Sequence, residues 1–174
     1  MSSSPPKAQT LLLSYAYRDG REAAEALYFD LHAEGYQVWL DIDDLMEHSH
    51  AAIQNPILQA DFILALITPT VIHDGKSFVQ SEIRYALSLK KTLIPLRFCP
   101  DPLPPALRGL PTLNFQNYAR GLASLRRSLA AYRQAGPQAA WEAAREAWRV
   151  SVADYHLPGL GSLQKLYAES EALI

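Results

Sequence analysis

Apolar residues along this chain switch period several times, and each switch marks an element. Thr10–Ser14 (TLLLS) is a short unbroken apolar run, the pattern of a strand covered on both faces. Asp19 follows with Glu22 three residues on, a near capping box. The helix this predicts carries Ala23, Leu27 and Leu31 on one face and stops at Gly35. Tyr36–Leu40 (YQVWL) reads as a second strand, and residues 41–50 (DIDDLMEHSH) as a polar loop. Residues 51–60 are helix-like, with Pro56 expected to kink or split them. Phe62–Ile67 (FILALI) is the most apolar strand, so its place is near the middle of the sheet.

Ser77 and Gln80 form a second capping-box pair, opening a helix that runs to about Lys90. Thr92–Phe98 (TLIPLRF) is a fourth strand in which Pro95 points to an edge or a bulge. A Pro-rich loop leads to a short fifth strand, Thr112–Phe115, and Leu122, Leu125, Leu129 and Tyr132 mark a further helix. Strands alternating with helices predict a parallel sheet covered by helices on both faces. Ligands of such sheets bind beyond the carboxyl ends of the strands, which selects residues 15–20, 41–50 and 68–77. After Gly136-Pro137 another helix carries Trp141, Ala144, Trp148 and Val152 on one stripe. Two tryptophans on a stripe call for a surface to dock on, whether this domain, a second copy or a further domain. A break at LPGLGS precedes a last helical stretch around Leu163, Leu166 and Tyr167.

Composition narrows the class. The 174 residues suit one domain with some extra helix. The expected division is a loose Ser/Pro-rich start over residues 1–9, a domain over 10–135 and a helical extension or linker over 136–174. A formal charge of −2 argues against a general binder of nucleic acid or of anionic membrane. One cysteine, Cys99, allows no internal disulfide, and neither a signal peptide nor a membrane span fits, so a cytoplasmic protein is expected. The five histidines show no zinc-ligand spacing with that cysteine. Asp41, Asp43 and Asp44 have the charge to hold Mg2+, but nothing nearby demands it, and no metal is expected.

One carboxylate stands out by position. On the helix after Ser77, the apolar residues Val79, Ile83, Ala86 and Leu87 define the buried face. At ~100° per residue, Glu82 falls about 60° from the centre of that stripe, on its border, with Phe78 one turn earlier. A carboxylate at an apolar border beside a ring is partly desolvated, a property of site residues.

Several segments resemble the boxes of the Toll/interleukin-1 receptor (TIR) family. LLLSYAYRD is similar to the first box, GYQVWLDIDDL to the second strand and its loop, ADFILALITPT to the third strand, and SFVQSEIRYAL to the helix bearing the glutamate of NAD-consuming members. The match runs in order over roughly residues 10–135. The resemblance implies a flavodoxin-like three-layer α/β fold whose five-stranded parallel sheet has the order 2-1-3-4-5. It also implies cleavage of the nicotinamide–ribose bond of NAD+ by hydrolysis or cyclisation, with Glu82 as the catalytic residue and a setting in bacterial antiviral defence signalling. NAD+ is then the substrate, with no separate cofactor. Tyr15, Tyr17 and Arg18 are candidates for the base and phosphates, Asp41 and Asp43 for ribose hydroxyls, and Phe78 for packing at the glutamate. His48 and His50 are candidates for the mouth of the site. Self-association through TIR–TIR contacts is expected, and a downstream effector or a fused sensor domain is a further candidate partner.

The alternatives are a non-catalytic TIR scaffold and a nucleoside deoxyribosyltransferase-like enzyme. A phospho-accepting receiver domain needs an aspartate where the third strand here ends in Thr68-Pro69, and a flavodoxin needs a phosphate loop that SYAYRDG lacks. Both are rejected.

Overall fold

The computed structural model describes residues 9–40, 56–75 and 77–153. Five strands alternate with helices. They are β1 (Thr10–Ser14), α1 (Tyr17–Ala33), β2 (Gln37–Leu40), β3 (Phe62–Ile67), α2 (Pro69–His73), α3 (Phe78–Ser88), β4 (Thr92–Arg97), β5 (Leu113–Asn114), α4 (Tyr118–Ala135) and α5 (Pro137–Ala153). Residues 56–59 are also helical, and Pro105–Leu107 form a 3-10 turn. All pairings are parallel and the strand order is 2-1-3-4-5, the order expected. β3 is central, as the FILALI run predicted, with all six residues buried. No helix among the described residues is long and apolar enough to cross a membrane.

Alternation along the strands sorts the core into two clusters. Leu11, Leu13, Phe62, Leu64 and Leu66 meet α1, α4 and α5 on one face. Leu12, Ile63, Ala65 and Ile67 meet Ile57, Val71 of α2, and Val79, Ile83 and Ala86 of α3 on the other. Burying each of the larger of these side chains, the Leu, Ile, Val and Phe residues, removes its apolar surface from water, worth about 1.5–3 kcal/mol apiece. A Cβ on Gly121 of α4 would come within 2.6 Å of the Phe115 ring, so the helix lies close to the residue after β5 only because that carbon is missing.

Several local expectations need correction. α1 begins at Tyr17 with Ala16 as its N-cap, so Asp19 sits inside the first turn and does not cap its own helix. Ser77 precedes α3 but makes no side-chain cap bond, and its buried hydroxyl has no hydrogen-bond partner among the described residues. Gln80 donates instead to the carbonyl of Val71, 2.6 Å away, which leaves no capping box. Pro95 is neither bulged nor on an outer strand: it lies in register with Ala65, and β5 pairs with β4 only from Leu96 onward. The missing N–H is tolerated because β5 is two residues long, shorter than the expected Thr112–Phe115.

Helix ends follow local rules elsewhere. Gly35, at φ +87°, closes α1 with bonds from Gly35 N to His32 O and from Tyr36 N to Leu31 O. Asn117 caps α4 by accepting from Arg120 N at 3.0 Å. Tyr118 donates to Asp30 at 2.6 Å and ties α4 to α1, and burial together with this bond pushes its phenol well above its usual pKa. α5 docks on the same domain, with Ala140 and Ala144 buried in the α1-side cluster. Trp141 is half-buried, its indole nitrogen without an acceptor among the described residues, while the side chains of Trp148 and Val152 lie outside the description.

Candidate functional site

The carboxyl ends of β1 and β3 carry the polar residues that a packed sheet would otherwise exclude. Consecutive residues at the end of β1 point to opposite faces, because side chains alternate along a strand. Ser14 shares the face of Leu12 and looks toward α3, whereas Tyr15 shares the face of Leu11 and Leu13. From α3, Glu82 reaches back to this point, and the Ser14 hydroxyl donates a hydrogen bond to Glu82 Oε2. Glu82 is 4% exposed and Ser14 fully buried. Position on the helix accounts for this: Val79, Ile83 and Ala86 anchor the buried face of α3, and Glu82 lies beside them. The carboxylate is thus more deeply held than a border position suggested.

Asp19 takes a part that its sequence context does not reveal. Its Oδ1 accepts from Thr68 Oγ1 at 2.7 Å and its Oδ2 from Thr70 N at 2.9 Å. The first turn of α1 is therefore fastened to the start of α2, whose own N-cap, Thr68, makes no cap bond with its side chain. Gly20 lies buried at this junction, where a Cβ would meet Tyr15 Cβ at 3.2 Å and Thr68 Cγ2 at 3.8 Å.

The other candidates fall into four groups. Tyr15 is 3% exposed and belongs to the α1-side cluster, so its ring is core packing and is not offered to a ligand. Tyr17 and Arg18 are accessible and line a surface depression of about 350 Å³ with Asp19, Arg21, Glu22 and Glu25. Tyr17 is half-buried, its oxygen accepting from Arg21 at 2.6 Å with the guanidinium 5.2 Å above its ring. Phe78 opens α3, half-buried, one turn before Glu82. Asp41, Asp43, His48 and His50 lie outside the described residues.

Ser14 and Thr68 are the two polar contacts that sequence reasoning missed. A signal existed for Ser14, a hydroxyl ending an otherwise apolar strand on the face that α3 covers. Cys99, near the end of β4, is no rival nucleophile. Burial pushes its thiol above the usual range, which keeps it protonated, and Sγ lies 3.8 Å from the Ile67 carbonyl. Among the described residues no group of three or more His, Cys, Asp or Glu side chains could hold a metal ion.

A buried glutamate drawn from the third-strand helix onto the end of the first strand, on a 2-1-3-4-5 sheet, meets an independent result. The profile of the TIR-domain family matches residues 12–129. The chain belongs to the TIR-domain family. Among solved structures, this TIR domain is similar to that of the Toll-related receptor TRR-2 from Hydra magnipapillata, with 18% identity and a TM-score of 0.58 over 71% of this chain and 97% of that one. The TIR domains of the activated Roq1 resistosome, which directly recognises the pathogen effector XopQ, match at 17% identity with a TM-score of 0.45, over 80% of this chain and 83% of theirs. A search of curated proteins finds no match. At 18% identity the likeness to the Hydra domain speaks to the fold alone, and chemistry has to be argued from the side chains of this TIR domain.

Proposed function

We propose that this TIR domain cleaves the nicotinamide–ribose bond of NAD+, with Glu82 as the catalytic carboxylate. The observation that carries the reading is the Glu82–Ser14 pair, an acid buried at the carboxyl end of the sheet. Burying a carboxylate costs several kcal/mol unless its hydrogen bonds are met. An apolar residue in its place would pack α3 equally well, so a carboxylate at this point is better explained by chemistry than by stability.

The reaction asks little of the protein. Nicotinamide leaves NAD+ as a neutral ring, because the electron pair of the C1′–N bond cancels its positive charge, and no general acid is needed. Positive charge meanwhile builds on the ribose, as in glycoside hydrolysis. Glu82 stabilises that charge and holds the ribose hydroxyls. Water attacking C1′ gives ADP-ribose and a proton, whereas attack by a group of the same nucleotide gives a cyclic product. Arg18 is assigned to the phosphates, Tyr17 to the base, Phe78 to the wall beside Glu82, and Asp41 and Asp43 to the ribose. Since the carboxylate is 4% exposed, turnover requires a conformation that lets the ribose reach it. Self-association is the proposed means, and a bacterial antiviral response in the cytoplasm the proposed setting.

The test incubates concentrated protein with NAD+ and identifies products by mass spectrometry, beside Glu82→Gln. Nicotinamide should appear with ADP-ribose or a cyclic isomer, and the variant should be about 10³-fold slower. Equal turnover by the variant removes Glu82 from the mechanism. No turnover by either protein, even when assembled, leaves the scaffold as the function.

A further inference from the structure

Four hydrogen-bonded links close a circuit around the end of the sheet, and Glu82 is one member of it. Ser14 holds Glu82. Two residues before Glu82 on α3, Gln80 Nε2 donates to the Val71 carbonyl of α2 at 2.6 Å. The start of α2 is held by Asp19 through Thr68 Oγ1 and Thr70 N. Asp19 is five residues beyond Ser14, so the chain itself completes the ring from α1 back to β1.

Within this circuit α2 is the weak member. It has five residues, too few to persist as a helix without outside support. It has no acidic residue in its first turn, and Val71 is its one buried residue. The Asp19 carboxylate supplies what α2 lacks, an acceptor for an N–H of the first turn and a negative charge at the amino end. The position of α2 sets in turn where Gln80 can bond, and so the angle at which α3 presents Glu82 to Ser14.

We propose that Asp19 is a positioning residue for Glu82, acting through α2 and Gln80. This assignment rests on Glu82 being the catalytic group. Its mechanical part, that Asp19 restrains α3, stands on the hydrogen bonds alone. Alanine at position 19 removes both acceptor oxygens and releases Thr68 and Thr70 together, whereas asparagine would still accept from Thr70 N and donate to the Thr68 hydroxyl.

The experiment compares wild type, Asp19→Ala, Gln80→Ala, the double variant, Glu82→Gln and Asn117→Ala, the last as a destabilised control on the other side of the sheet. Hydrogen exchange of the full chain is read first. Asp19→Ala should raise exchange in α2 and α3 by about tenfold and leave α4 unchanged. Steady-state NAD+ turnover, well below every melting temperature, is read second. Asp19→Ala and Gln80→Ala should each lower kcat about tenfold with KM within twofold, and the double variant should lose little more than either alone, because both cut one circuit. Asn117→Ala should keep the wild-type kcat. Unchanged exchange in α3, or a kcat loss in Asp19→Ala no larger than in Asn117→Ala, overturns the proposal. Multiplying losses in the double variant also overturn it, since they separate the two residues. If Glu82→Gln turns over NAD+ as fast as wild type, the catalytic reading fails and the positioning role falls with it. The exchange result then reports separately on the brace.

Discussion

On one side of the sheet Leu11, Leu13 and Tyr15 of the first strand end under α1 and α4, in a cluster whose strand-borne members are all apolar or aromatic. On the other side Leu12 starts the same way, but the next residue on that face is Ser14, and it meets a buried glutamate. One residue of phase therefore separates a ring that closes the core from a hydroxyl that admits a charge. The dry side is built as stability requires. The polar side accepts an acid where an aliphatic side chain would fit, and proteins retain such defects chiefly at sites.

The contrast is sharpest in activity and stability measured together. Leu129 is fully buried in the α1-side cluster, and Leu129→Ala should cost about 2–5 kcal/mol in chemical denaturation. Its turnover of NAD+ per folded molecule should stay within about twofold of wild type. A large loss of kcat in this variant would mean that the two sides are not separable. Ser14→Ala combined with Glu82→Leu is the opposite case. Removing both members of this bond takes away the buried charge together with the hydroxyl that faces it, so stability should hold or rise by about 1–3 kcal/mol while turnover disappears. Should this double variant unfold more easily than the parent, the pair is structural and the comparison is wrong.

The same contrast explains what could be read from sequence. The central place of Phe62–Ile67 was legible because burial on both faces leaves an unbroken apolar run, while the strand order was legible only through the family resemblance. Glu82 was legible as a position, since helical period alone puts it beside Val79, Ile83 and Ala86. Its partner was not chosen by period, because Ser14 lies 68 residues away and meets it only once β1 and α3 share a face. Asp19 misled for a related reason. Asp followed by Glu at the third residue signals a cap, yet Ala16 starts the helix and the carboxylate serves α2, some fifty residues further on. Ser77 and Gln80 matched a capping box, but the Val71 carbonyl competes successfully for the glutamine. Local motifs report which groups can bond. Tertiary neighbours decide which of them do.

The smallest expected effect compares the last turns of one helix from each side. α1 and α3 end in the same six-residue pattern, with Gly35 N and Tyr36 N bonded to His32 O and Leu31 O, and Lys90 N and Lys91 N bonded to Leu87 O and Ala86 O. The left-handed residue is Gly35 in α1, at φ +87°, and Lys90 in α3, at φ +55°. A side chain in that region costs about 1–2 kcal/mol, whereas glycine costs about 0.5–1 kcal/mol in extra chain entropy on folding. The first term is the larger, so Lys90→Gly should stabilise the domain by about 0.5–1 kcal/mol, and Gly35→Ala should destabilise it by about 1 kcal/mol or more. Both are read from urea midpoints at constant slope. Lys90 is exposed and its neighbour Lys91 carries the bonds to Leu58 O and Ala60 O, so the glycine removes no recorded side-chain contact. A drop in midpoint for Lys90→Gly would show that the lysine contributes to holding α3 in place, and the helix that carries Glu82 would then depend on its last turn as well as its first.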